Sequence, residues 1–285
     1  HKAINKVFQT IKVLIKKYKI PIYQEADQKG ILRHVVIRHG FTSNQTMVGP
    51  VVRASYPHWD SLVQELLETC PGVVSVMENI NSQVGNRILG QQTTLISGQS
   101  TFEEKLGTLR FKISLPSFFQ INPNQTEVLY NTVLKMAQFK GNEHVLDAYA
   151  GTGSIALWVA GHVKEVTGIE SIKEAVIDAK ENAKLNNMSN THFICGKVED
   201  ILTKTLEKPA DCVILDPPPK GCEIKALEAI INAQIPQVIY VSCNPATLAR
   251  DIQRLSSHYT LSACQPVDMF PHTHHLETVC LLTKK

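Results

Sequence analysis

Val145-Leu146-Asp147-Ala148-Tyr149-Ala150-Gly151-Thr152-Gly153-Ser154 is the stretch whose reading decides the fold. An apolar run ends at Asp147, a glycine turn follows, and Ser154 starts a helix. Strand, glycine turn and helix in that order form the building unit of open α/β sheets. Glycines let a ligand approach the backbone closely, and the start of a helix points unpaired N–H donors at it. A G-x-G by itself is weak evidence. The longer dinucleotide pattern G-x-G-x-x-G is met only with Ala156 in its last place, which the pattern permits, so a nicotinamide enzyme stays open here. Asp147 closes the strand before the turn, and Glu170 closes the next strand, where a carboxylate can hold ribose hydroxyls.

Downstream the alternation repeats. Strands are expected at 144–148, 165–169, 191–195, 212–215 and 238–241, helices at 154–159, 172–185, 224–232 and 246–255, and a strand pair at the end. That order predicts an α/β fold with a doubly wound, largely parallel sheet. Upstream, Pro116, Pro123 and the polar Gln120-Ile121-Asn122 mark a boundary before a helix at 125–139. Residues 1–115 read as a smaller α+β domain. It has a helix over 1–19, β-like runs at 32–38, 47–54, 73–79, 92–96 and 109–113, and a helix at 59–69 ended by Pro71-Gly72. In the first helix Lys2, Lys6, Lys12, Lys16, Lys17 and Lys19 surround an apolar stripe. A solvated face and an RNA-facing patch both fit them. His34, Arg38 and His39 are nucleic-acid candidates whose spacing carries no signature of its own.

The totals are those of a globular chain: 285 residues, 43% hydrophobic and 19% charged. No apolar run approaches the roughly 18 residues of a membrane helix, and no signal peptide opens the chain. The seven cysteines (Cys70, Cys195, Cys212, Cys222, Cys243, Cys264, Cys280) are odd in number and contain no C-x-x-C pair. That argues against a disulfide framework and against a zinc or iron–sulfur site within these residues, and fits a reducing cytoplasm. A net charge of +3 permits a nucleic-acid partner without requiring one. The chain opens on His1 rather than Met and reads as a fragment.

Val238-Ile239-Tyr240-Val241-Ser242-Cys243-Asn244-Pro245 reads as a buried strand that breaks into a loop. Alone, Cys243 would be a small hydrophobe closing that strand, since free cysteine is among the most buried residue types. At the carboxyl end of a sheet strand it also stands where ligands bind, and a thiolate there can attack an electrophilic carbon. Val213-Ile214-Leu215-Asp216-Pro217-Pro218-Pro219-Lys220-Gly221 delivers Asp216 to the same edge on a proline-stiffened loop.

The glycine turn with its two carboxylates resembles S-adenosylmethionine-dependent methyltransferases. Those acting on exocyclic amines often place an aromatic residue after Asp-Pro-Pro; Pro219-Lys220 departs from that and speaks against amine methylation. Phe118-Phe119-Gln120-Ile121-Asn122, the glycine turn, Leu215-Asp216-Pro217-Pro218, Ser242-Cys243-Asn244-Pro245-Ala246-Thr247-Leu248-Ala249-Arg250-Asp251 and Asp268-Met269-Phe270-Pro271-His272-Thr273-His274-His275-Leu276-Glu277 follow one another in order. Together they resemble the bacterial RNA uracil-5-methyltransferases over essentially the whole chain. The resemblance implies a Rossmann-like S-adenosylmethionine-dependent methyltransferase domain at 116–285 behind a central RNA-contacting α+β domain at 1–115.

It also implies a reaction: a methyl group passes from S-adenosylmethionine to C5 of a uridine, leaving S-adenosylhomocysteine. C5 of uracil is a poor nucleophile, so the Cys243 thiolate would add at C6 and turn the ring into an enolate. Glu277 would then remove the C5 proton as general base. Gln120, Tyr149, Gly151, Glu170 and Asp216 match cofactor-side positions, with Asp216 near the cofactor or the uracil edge. The target base would be turned out of its stack.

The H-x-H-H of His272, His274 and His275 reads as structural or substrate-facing, with no metal expected. Arg250 and Asp251 read as capping or pairing within a helix. The tail from Asp268 to Thr273 resembles the ribosomal branch of that family more than the transfer-RNA branch, which implies 23S ribosomal RNA as substrate, with the T-loop of transfer RNA second. A cytosine-5-methyltransferase would carry Pro-Cys or Thr-Cys motifs, which do not surround Cys243. A non-catalytic RNA- and cofactor-binding fragment is the alternative outside enzymes. Family members usually carry an upstream RNA-binding β-barrel, and many a four-cysteine iron–sulfur motif; this chain contains neither and is expected to be the C-terminal part. No membrane and no obligate protein partner are expected.

Overall fold

A computed structural model describes residues 1–205 and 209–285. The chain divides into two compact units, His1–Lys105 with Lys112–Pro116, and Leu106–Phe111 with Ser117–Lys285.

The first unit contains α1 (Lys2–Lys17), β1 (Leu32–His39), β2 (Thr46–Val52), α2 (Asp60–Thr69), β3 (Val73–Ile80) and β4 (Gln92–Gly98). Its sheet runs β1-β2-β3-β4, antiparallel except for the parallel β2–β3 pair that α2 connects. Val7, Ile11 and Leu14 of α1 and Leu62, Val63 and Leu66 of α2 bury the apolar stripes that the periodicity predicts. The six lysines are exposed, and Lys17 pairs with Glu65 at 2.6 Å. His34 is exposed, but Arg38 is engaged within the unit. It donates to the carbonyl of Ser114 at 2.8 Å and lies over the Phe102 ring.

A two-stranded ribbon, β5 (Thr101–Leu106) and β6 (Leu109–Ser114), follows. The sequence reading missed β5, because the charges at Glu103, Glu104 and Lys105 hide its alternation. Phe102, Glu104 and Leu106 are nonetheless all buried, and Glu104 is satisfied by the amides of Phe41 and Thr42.

The second unit opens with α3 (Pro123–Ala137). Then come β7 (His144–Asp147), α4 (Ser154–Ala160), β8 (Glu165–Glu170), α5 (Lys173–Leu185), β9 (Thr191–Cys195) and α6 (Val198–Thr205). It ends with β10 (Cys212–Leu215), α7 (Ile224–Asn232), β11 (Gln237–Ser242), α8 (Pro245–Leu255), β12 (Tyr259–Val267) and β13 (Glu277–Lys284). Only α6 was not expected; it is a short helix with Glu199 and Asp200 in its first turn. The seven strands are ordered β12-β13-β11-β10-β7-β8-β9. β7 to β11 are parallel, and β13 inserts antiparallel between β11 and β12. Strand order reverses between β7 and β10, the switch point at which open α/β sheets form their ligand crevice.

Register aligns the chemistry. Asp147 pairs with Ile214, Leu215 with Tyr240, and Ser242 with Thr278. Leu146, Leu215, Tyr240 and Cys280 enter one core cluster with Leu227 and Ile230 of α7 and Leu248 and Leu255 of α8. Successive strand side chains alternate, so Asp147, Asp216 and Glu277 turn to the opposite face, against which α3 packs.

Candidate active site

At the glycine turn, Gly151 and Gly153 have φ of +53° and +82°. A Cβ on Gly153 would stand 2.9 Å from the Phe193 ring, whereas one on Gly151 would meet nothing within 4 Å. The turn therefore needs glycine at one position for packing and leaves open space at the other. Glu170 folds back onto it, accepting from the amides of Gly151 at 3.0 Å and Ile172 at 2.7 Å.

Asp147 is its opposite. Both carboxylate oxygens are buried, and among the described residues neither has a partner in good hydrogen-bond geometry. Burial pushes the carboxyl up to about 7; the nearby Ala156 and Tyr149 amides oppose the rise and Glu170 adds to it. Thr152 Oγ1, within the glycine turn, is also buried and has no hydrogen-bond partner among the described residues. An orphaned acid next to open backbone suits a cationic ligand group.

Tyr149 is half-buried against the α7–α8 core cluster, where its hydroxyl meets the Cys222 thiol and burial raises its pKa. Gln120 is buried between two exposed apolar residues, Phe118 at 66% and Ile121 at 71%. Asn122 caps α3, accepting from the Gln125 amide at 3.3 Å, and donates Nδ2 to the carbonyl of Met269 at 3.0 Å. That last bond ties the segment before α3 to the tail leading into β13, a link sequence spacing does not show.

Cys243 is partly buried one residue past β11, and Glu277 is the buried first residue of β13. Each lies one position beyond the Ser242–Thr278 pair, where facing Cβ atoms of antiparallel neighbours are about 4.5–5.5 Å apart. Asp216 follows directly on β10. Burial pushes the Cys243 thiol up, and the Glu277 and Asp216 carboxylates push it further. Burial pushes Glu277 up to about 7. Asp216 is held well above the usual carboxylate range, first by burial, then by Glu277 and Asp147.

Tyr130 of α3 was not singled out from the sequence. It is fully buried, its hydroxyl lies 2.8 Å from Ser154 Oγ, and the charges of Asp216, Asp147 and Glu277 all act on it. The available signal was a tyrosine on the buried face beside Leu129 and Val133, since a buried phenol needs a polar partner.

In the tail, His272 takes φ +67°, and the His274 and His275 rings lie 4.1 Å apart, with His275 edge-on to Phe270. Among the described residues, no three His, Cys, Asp or Glu side chains are grouped to hold a metal ion. Nor is any helix long and apolar enough to cross a membrane. Arg250 and Asp251 do pair, at 2.9 Å, but Asp251 also bonds outside its own helix.

Sheet order, glycine turn and acidic strand ends define the fold of S-adenosylmethionine-dependent methyltransferases. The chain belongs to the tRNA (Uracil-5-)-methyltransferase family, whose model matches residues 80–285. A Clostridium tetani (strain Massachusetts / E88) protein described as an uncharacterized RNA methyltransferase is 43% identical over 283 residues, covering 98% of this chain and 62% of that protein. A Bacillus anthracis protein of the same description is 40% identical over 288 residues, covering 100% of this chain and 63% of that protein. The chain thus spans less than two thirds of the length of these relatives. Among solved structures, the Pyrococcus abyssi tRNA (uracil-54, C5)-methyltransferase in complex with S-adenosyl-L-homocysteine matches with a TM-score of 0.80 and 27% identity. That match covers 98% of this chain and 66% of that one.

Proposed function

We propose that this chain carries the methyl-transferring part of an enzyme that methylates C5 of a uridine in RNA, with Cys243 as nucleophile and Glu277 as general base. The observation that carries this reading is one juxtaposition: a partly buried thiol and buried carboxylates on one face of the sheet's carboxyl edge, beside the glycine turn.

The orphaned Asp147, the open side of Gly151 and the carboxylate of Glu170 fit S-adenosylmethionine, with Gln120 and Tyr149 bordering it. Bound there, the cofactor would supply an electrophilic methyl group to C5. The chain's own residues manage the ring. The Cys243 sulfur, once deprotonated, adds to C6, and the C5–C6 π electrons move toward the C4 oxygen as an enolate. Asp216, buried and pushed up first by that burial, borders the same edge on the cofactor or uracil side. With C5 methylated, the Glu277 carboxylate takes the C5 proton. The C5–C6 double bond re-forms and the sulfur–C6 bond breaks. An acid with a pKa near 7 is suited to accepting and returning that proton at neutral pH.

The 23S ribosomal RNA is the proposed substrate, supported by the Asp268-Met269-Phe270-Pro271-His272-Thr273 tail. The exposed lysines of α1 support an RNA-contacting role for the first unit. A second reading, transfer RNA, is favoured by the Pyrococcus abyssi neighbour, whose target is uracil-54 of tRNA. Supplying tritiated S-adenosylmethionine with unmodified 23S rRNA or bulk tRNA, then digesting the RNA, separates them. Label in 5-methyluridine from rRNA alone is the expected result; label from tRNA alone selects the second reading. Label in another nucleoside, or none, would sink both.

A further inference from the structure

The carboxylate of Asp251 on α8 is fully buried, and the uracil reading makes no use of it. Its partners come from separate parts of the second unit. Oδ2 accepts from the Cys222 amide at 2.9 Å and from the Tyr240 hydroxyl of β11 at 2.7 Å. Oδ1 accepts from Arg250 Nε at 2.9 Å and lies 3.4 Å from Arg254 Nη1. Arg250 Nη2 in turn donates to the carbonyl of Lys220 at 2.9 Å. At the start of α8, Asn244 Nδ2 and Thr247 Oγ1 each reach the carbonyl of Pro219 at 3.1 Å. Gly221 closes the arrangement with φ +79°; a Cβ there would stand 2.5 Å from Arg250 and 2.6 Å from the Asp251 carboxylate.

So residues 219–222, the loop that begins at Asp216, are fastened to α8 and to β11, between which Cys243 lies. Asp251 joins both sides, since the Cys222 amide and the Tyr240 hydroxyl share one of its oxygens. The bonds are local and directional, and a loop rich in proline has few other ways to move. We propose that Asp251 is a positioning residue that latches the Asp216 loop to the Cys243 loop, fixing the separation of the two groups that meet the pyrimidine. This rests on the uracil reading for what the two groups do, but the latch itself is a statement about geometry.

Asp251→Asn tests it, because the side chain keeps its shape while losing charge and one acceptor. Structural and functional measurements are made on the same protein. The first is backbone hydrogen exchange in peptides spanning 217–223 and 242–248, with the β8–α5 peptides as internal reference. The second is the first-turnover rate of the denaturant-stable adduct on RNA carrying 5-fluorouridine, where fluorine replaces the proton Glu277 would remove, together with affinity for S-adenosylhomocysteine. We expect exchange to rise in both loops together and the reference to stay protected. Adduct formation should slow about 10- to 100-fold while cofactor affinity changes less than about threefold. Unchanged exchange, or faster exchange with an adduct rate within about twofold of wild type, would overturn the latch. So would loosening that spreads to the reference peptides, which would make Asp251 a general structural residue. Wild-type protein that forms no adduct would remove the uracil reading, and the exchange measurement would still judge the latch. If Asp251→Asn does not fold, Tyr240→Phe and Arg250→Gln, each removing one strand of the network, are expected to give the same pattern at smaller size.

Discussion

Two sets of buried carboxylates lie on the two sides of one sheet. On the α7–α8 side, Asp251 is surrounded by donors: an amide, a phenol and two guanidinium groups. On the α3 side, Asp147 has no well-formed hydrogen bond among the described residues, and Asp216 and Glu277 sit near it with raised pKa values. Folding alone explains the first set, since a satisfied buried charge holds loops in place. It does not explain the second, whose burial costs stability that, at Asp147, the Ala156 and Tyr149 amides only partly offset. Groups left in that condition are where ligand and substrate charge is accommodated.

The sharpest way to test the contrast is at the thiol between the two sets. Cys243→Ala should reduce methyl transfer by about 10³-fold or more and abolish the protein–RNA adduct, read by denaturing gel with labelled RNA. Next in size is the satisfied acid. Asp251→Ala leaves the buried Cys222 amide and Tyr240 hydroxyl without their acceptor and should cost about 2–4 kcal/mol in urea unfolding. Glu277→Gln should slow turnover about 10²-fold while adduct accumulates, because addition is intact and release is not. In wild type the same step should weaken as pH falls through about 7, where Glu277 takes up a proton and can no longer accept one.

Smallest, and opposite in sign, is Asp147→Asn, which should stabilise. Below about pH 4, folded and unfolded chains both hold Asp147 protonated and the site costs nothing. Between there and about 7 the unfolded chain ionises first, so stability falls with each pH unit through the folded pKa. A gain of about 2 kcal/mol for the variant at pH 8 that vanishes at pH 4, with weakened cofactor affinity, would bear out the contrast. A loss of stability at pH 8 would mean that Asp147 is not strained in the resting protein.

Much of this was legible in the sequence, and the exceptions have physical causes. Parallel strands buried on both faces read as unbroken apolar runs, so 212–215 and 238–241 were located well. The same evenness conceals which way each side chain points, so nothing showed that Asp147, Asp216 and Glu277 share a face. β5 escaped because its inward residue Glu104 is charged, and its amide partners lie some sixty residues earlier. For Asp251 a local reading reached its pairing with Arg250 and missed Cys222 and Tyr240, which only the tertiary fold brings near. The seven proposed site residues, Cys243, Glu277, Gln120, Tyr149, Gly151, Glu170 and Asp216, were named from motifs, and the motifs carried no distances.

The antiparallel insertion of β13 between β11 and β12 also has a consequence for synthesis. Cys243 leaves the ribosome well before Glu277, and the strand that brings Glu277 also fills the gap in the sheet. A chain cut short between them has the proposed nucleophile without the proposed base that releases the nucleic acid. Cut after β12, it also has a sheet missing an interior strand, with β11 and β12 unpaired on the sides that β13 would fill. The group proposed to release the RNA and the strand that completes the sheet therefore arrive together.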